Sequence, residues 1–177
     1  MKRFIAIAAM VVPLTACSTF QPAEPPPPSK DQIENSEVRA ANLALAESKY
    51  EVSLQKYIEF QNANPQSNFL QETRVGEARS LAGLSKWSES VPIFLDVYLK
   101  TKQDHPQIAA LAMYYLSFSY EALGDDVKTI TALLDAKKLS RYLPVEVSQA
   151  EIPARLAMLY GKFGRNKEAA DYLNEAE

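Results

Sequence analysis

The chain has 177 residues with 19 basic and 22 acidic side chains, a formal net charge of −3, and so lacks the basic surplus that nucleic-acid binding uses to displace counterions. Its single cysteine and single histidine exclude a disulfide framework and a zinc site of the usual kind. Hydrophobic residues make up 47% of it, enough for one domain with a real core.

The first element is an address. Lys2 and Arg3 precede an apolar run from Phe4 to Leu14, then small residues, which is the layout of a secretory signal with an apolar middle of about 7–15 residues. The run is shorter than the roughly 20 residues that span a bilayer. Removing residues 1–16 removes Lys2 and Arg3, which takes the net charge from −3 to −5. That balance also argues against a basic membrane-surface helix.

The segment ends Leu14-Thr15-Ala16-Cys17-Ser18, and the first four of these resemble the lipobox of bacterial lipoproteins. The resemblance implies a diacylglycerol on the Cys17 thiol, cleavage before Cys17 and acylation of the new amino terminus. No cofactor beyond this covalent lipid is expected. Two or three acyl chains exceed the single chain that gives only marginal binding, so the anchor is expected to be stable. A buried structural cysteine is the competing reading, but Cys17 lies outside any helical core and has no second cysteine to pair with. In the enterobacterial form of the family an aspartate after the cysteine favours inner-membrane retention. Ser18 stands there instead, which implies the periplasmic side of the outer membrane.

Residues 17–35 read as the acylated cysteine and a linker. Gln21-Pro22-Ala23-Glu24-Pro25-Pro26-Pro27-Pro28 favours polyproline II, a spacer rising about 3.1 Å per residue, or less simply a ligand for a proline-binding partner. Residues 36–177 read as an all-helical repeat domain. Helix pairs are predicted at 32–47 and 49–63, 67–83 and 86–103, 106–123 and 126–140, and 147–162 and 166–176. Asn64-Pro65, His105-Pro106 and Leu143-Pro144 punctuate the gaps. Pro92 is expected to kink the second helix of its pair or shift its start.

The four pairs align when Tyr57, Phe94, Leu133 and Leu173 are set in register, at spacings of 37, 39 and 40 residues. Four residues earlier stand Ser53, Ser90, Thr129 and Ala169; sixteen earlier, Ala41, Ala78, Ser117 and Ala157; three later, Phe60, Val97, Ala136 and Ala176. Turns with Ser48, Ser85, Gly124 and Gly164 separate the two helices of each pair. Small residues at helix crossings with a large residue one turn on suit stacked helix pairs. The pattern resembles the tetratricopeptide repeat, most clearly in Ala157-(x)2-Tyr160-(x)3-Gly164-(x)4-Ala169 and Ser117-(x)2-Tyr120-(x)3-Gly124. Its spacings exceed the family's ideal of about 34, and the consensus tryptophan positions hold Glu37, Arg74, Met113 and Pro153. The resemblance implies a right-handed superhelical solenoid of four pairs; an irregular bundle with accidental spacing is the alternative. No polar capping helix is read after the fourth pair, so the expectation is either that a partner or a second copy covers the apolar face there or that the chain is unusually short.

No phosphate-binding loop, nucleophile elbow or isolated carboxylate pair stands out, and no enzymatic activity is expected. His105 reads as an exposed turn residue, and Asp125-Asp126 as a cap for the following helix. If the register holds, the first helix of each pair lines a concave groove with Asn42, Leu45, Arg79, Tyr114, Phe118, Glu121, Met158 and Lys162 as candidate partner contacts. Tyr114 and Phe118 are four apart and share a helix face, although some of Met113–Leu116 must be core. Val38 and Tyr114 stand where the carboxylate clamp of chaperone-binding relatives has lysine, so that ligand is not expected. The resulting expectation is a lipid-anchored periplasmic adaptor binding proteins of an envelope assembly complex, whether outer-membrane protein assembly, pilus and secretin assembly or motility. The rival is a regulator of a cell-wall enzyme or a peptidoglycan-binding factor.

Overall fold

The computed structural model describes residues 28–176; the signal 1–16, Cys17 and the linker up to residue 27 lie outside the described residues. Among these, eight α-helices follow one another: α1 (Lys30–Ala46), α2 (Tyr50–Ala63), α3 (Leu70–Gly83), α4 (Trp87–Thr101), α5 (Pro106–Ala122), α6 (Asp126–Lys138), α7 (Ile152–Lys162) and α8 (Asn166–Ala176). A 3-10 turn (Ser140–Tyr142) and a π-helical turn (Glu146–Glu151) connect α6 to α7.

Local chemistry explains the boundaries. Ser29 caps α1 in a reciprocal box: its Oγ accepts from the Gln32 amide at 3.3 Å while its own amide donates to Gln32 Oε1 at 2.8 Å. Helix therefore begins at Lys30, inside the stretch read as linker to residue 35, because the proline run ends at Pro28 and a cap follows at once. Asp125 caps α6 by accepting from the Lys128 amide at 3.0 Å, and Pro106 opens α5 at a position where a missing N–H costs nothing. α4 runs through Pro92, and its start at Trp87 is not shifted toward the proline. Pro92 and Ser88 are both exposed, so the carbonyl that loses its partner meets water.

The turn inside each pair has one geometry throughout. Ser48, Ser85, Gly124 and Gly164 all sit at left-handed φ, at 58°, 61°, 74° and 71°. The aligned side chains are correspondingly buried: Tyr57, Phe94 and Leu133 are 0% exposed, as are Ser53, Ser90 and Thr129. Buried hydroxyls are satisfied across the junctions, Ser53 Oγ to Ser80 Oγ at 2.7 Å and Ser90 Oγ to Ser119 Oγ at 2.9 Å. Each pair thus stacks on the next through the second helix of one and the first of the following.

The fourth pair departs from the others. Leu173, aligned with three fully buried anchors, is 55% exposed, because among the described residues no further helix packs on that side of α8. The helix predicted from 147 starts as α7 only at Ile152. Pro153 has no N–H to close an ordinary turn onto residue 149, and the backbone before it widens to a π turn. α1 packs beside α3 and α3 beside α5, whereas α7 stands further from α5 across these extra turns.

Candidate partner-binding groove

The first helices of pairs one to three share a concave face. Two adjoining hollows of about 340 and 330 Å³ lie along it. Asn42 and Leu45 from α1, Arg79 from α3 and Ile108, Leu111 and Tyr115 from α5 line the first. Leu45, Arg79 and Tyr115 continue into the second, joined by Tyr50, Trp87 and Phe118.

Arg79 joins the two hollows. Its guanidinium lies 4.1 Å from the centre of the Tyr115 ring, a stacked cation–π arrangement that fixes a long side chain on a rigid support. Among the described residues it forms no ion pair. Its donors are therefore open to an incoming acceptor.

Behind the surface, the aromatic wall is braced from α7. Tyr114 is 8% exposed, meets Phe118 edge-on at 5.2 Å, and donates from its hydroxyl to Glu151 Oε2 at 2.8 Å. Burial first, and then the Glu151 carboxylate, push the Tyr114 phenol well above its ordinary range. Arg155, also 8% exposed, stacks on Phe118 at 3.9 Å. It donates to Ser117 Oγ at 2.9 Å and to Glu121 Oε2 at 2.5 Å. This one guanidinium spans the wider gap between α5 and α7. At the other end, Asn42 Oδ1 accepts from the Tyr57 hydroxyl at 2.5 Å, and burial raises the Tyr57 phenol to about 12.

Of the residues picked out from sequence, the structure brings Asn42, Leu45, Arg79, Tyr114 and Phe118 to one face, with Tyr114 spent mostly inside the wall. Glu121 joins only through Arg155. Met158 is 67% exposed on α7, away from both hollows, and Lys162 is tied to Asp126 at the start of α6. Tyr50, Trp87, Tyr115 and Arg155 were not singled out. The register carried a usable signal for the last two, since Arg39, Gly76, Tyr115 and Arg155 are equivalent positions and three of the four hold large polar-tipped side chains. Among the described residues no three His, Cys, Asp or Glu side chains gather as a metal site. No described helix is long and apolar enough to cross a membrane.

No protein-family model matches the chain, and no curated protein matches it. Solved structures are similar. A MamA double mutant from strain RS-1 is 15% identical with a TM-score of 0.64, covering 84% of this chain and 75% of that one. MamA from residue 41 to its end, from Desulfovibrio magneticus RS-1, is 15% identical with a TM-score of 0.63, covering 81% of this chain and 73% of its own. A Podosopora anserina kinesin light chain with nearly identical TPR-like repeats is 16% identical with a TM-score of 0.60, covering 81% and 72%. The likeness is one of fold: the chain folds as a tetratricopeptide-like helical repeat solenoid.

Proposed function

We propose that this protein is a lipid-anchored adaptor of the bacterial envelope that holds a segment of a partner protein in the groove of α1, α3 and α5. The observation that carries the groove is Arg79 stacked on Tyr115 between two hollows, unpaired and ringed by half-buried Tyr50, Trp87 and Phe118. Aromatic rings and a preorganised arginine are the side chains that most often dominate protein interfaces, because they bury large area at small entropic cost. A protein segment with an apolar anchor and a neighbouring carboxylate fits the second hollow beside Arg79, whereas Glu72 makes the first hollow less favourable to a carboxylate. The anchor reading rests on Leu14-Thr15-Ala16-Cys17 and Ser18, which favour acylation and the periplasmic face of the outer membrane.

In-cell crosslinking followed by purification from solubilised envelopes tests the groove. A dominant partner lost in Arg79→Ala/Tyr115→Ala, with helicity unchanged, supports it; a partner retained at full yield moves binding elsewhere. For the anchor, incorporation of labelled fatty acid is expected in the native chain and absent in Cys17→Ala, and equal labelling of the two would refute the assignment.

A further inference from the structure

We infer that the protein associates head to tail with a second copy of itself, the outer side of α8 seating on the outer side of α1. This surface is separate from the groove. The chain already makes this junction twice closely, α2 on α3 and α4 on α5, and once more loosely, α6 on α7, and the equivalent positions identify what each side supplies. On the α8 side, Ala169 and Leu173 correspond to side chains that are 0% exposed in the first three pairs, yet Leu173 is 55% exposed. On the α1 side, Leu43 is 60% exposed, whereas its equivalents Ser80 and Ser119 are 0% and Leu159 is 8% exposed. Among the described residues no further helix covers either face, although Ala169 is itself half-buried against α7.

The two faces match chemically as well as by position. At the first two junctions the crossing pair is serine on serine, Ser53 with Ser80 and Ser90 with Ser119, each hydroxyl satisfying the other. At the third the same positions hold Thr129 and Leu159, and the Thr129 hydroxyl turns back to the Asp125 carbonyl at 2.9 Å. One step further, the register sets Ala169 opposite Leu43 of the next copy. Neither brings a polar atom to be stranded, and both gain by leaving water. The flanking Ser36 and Ala40 on α1 and Ala176 on α8 are small, as close helix approach requires. Because the two surfaces differ, the contact is heterologous, and it propagates into chains unless its rotation closes a ring.

The full chain in a Cys17→Ser background provides the test. Mixing Leu43→Cys chains with Ala169→Cys chains under mild oxidation should yield a disulfide-linked heterodimer, and neither variant alone should. In parallel, sedimentation velocity over a concentration series should show mass growing with concentration. Leu173→Asp should weaken it at least tenfold, a loss of about 1.4 kcal/mol, and Leu43→Asp, on the opposite end and already exposed, should do the same without disturbing the α8 fold. Tyr115→Ala should leave it intact. A monomer at every concentration, the absence of the mixed disulfide, or association that survives both aspartate variants would overturn the inference.

Discussion

Gly76 on α3 faces the ring of Tyr57 on α2 so closely that a Cβ there would overlap the ring carbons. Tyr57 is 0% exposed and its hydroxyl is fixed on Asn42, so it has nowhere to retreat. The absence of a side chain at Gly76 therefore sets how near the first two pairs approach.

Gly76→Ala would gain about 1 kcal/mol of helix propensity but overpack the junction at a cost of about 1–3 kcal/mol. The overpacking is expected to win, lowering the urea midpoint. Gly83→Ala meets only half-buried Tyr50, which can swing toward solvent, and should cost less. Equal losses for the two would contradict this account of the junction.

Ser48 and Ser85 hold a left-handed backbone that costs an L-residue roughly 1–2 kcal/mol. Glycine relieves this but adds about 0.5–1 kcal/mol of unfolded-state entropy. Ser48→Gly and Ser85→Gly should each stabilise by about 0.5–1 kcal/mol, while Gly124→Ala at the equivalent turn should destabilise by about 1 kcal/mol. Denaturant midpoints of the three variants, all moving by these signs, are the check.

Arg155 bridges α7 to Ser117, Phe118 and Glu121 of α5. Arg155→Met keeps much of the packing but removes charge-assisted hydrogen bonds worth about 1.5–3 kcal/mol. Glu121→Gln, at a carboxylate 48% exposed, should cost under about 1 kcal/mol. Hydrogen exchange should quicken in α7 and α8 of the arginine variant and stay unchanged in α1 to α4. Uniform quickening would show that Arg155 supports the whole fold rather than the last pair.

The pH dependence has two limbs. Glu34 is held below the usual carboxylate range by the hydroxyl of Ser67, which donates to it at 2.6 Å, and then by Lys30. Asp96 is held down first by Lys100 and then by Arg74. Both carboxyls bind protons more weakly folded than unfolded, so their stabilisation is present above the ordinary carboxylate pKa and fades as pH falls through the lowered folded value. Tyr57 works in the opposite direction. Its folded pKa of about 12 exceeds the ordinary 10, so its contribution is complete below pH 10 and declines as pH rises toward 12. Glu34→Gln should flatten the acid limb of a melting-temperature profile, and Tyr57→Phe the alkaline limb. An acid limb unchanged in Glu34→Gln would assign it to other carboxylates.

Much of this architecture was legible in the sequence because it is local. Pro106, Asp125 and the four turn residues act within a few positions of themselves, and the spacing of Tyr57, Phe94 and Leu133 reports burial by simple helical geometry; the Ser29–Gln32 cap is equally local but lies inside the stretch read as linker. Other features depend on where a neighbouring helix lies. Tyr114 and Tyr115 are adjacent in sequence and chemically alike. Only the placement of α3, with Arg79 over one ring, and of Glu151, with its carboxylate on the other hydroxyl, makes Tyr115 the groove surface and Tyr114 the wall. Leu173 shares the register of three buried anchors, and periodicity cannot say whether a helix lies above it.

By itself, then, the sequence determined the helices, their caps, the left-handed turns and the repeat register, since each follows from backbone preferences and hydrophobic spacing within one pair. The resemblance of Leu14-Thr15-Ala16-Cys17 to a lipobox, on which the proposed anchor rests, is likewise a matter of linear order. Tertiary structure alone decided the rest: the span of Arg155 across the gap between α7 and α5, the two hollows joined at Arg79, and the faces of α1 and α8 that no other described residue covers. These depend on distances between segments 30 or more residues apart, and such distances arise only when the pairs pack against one another.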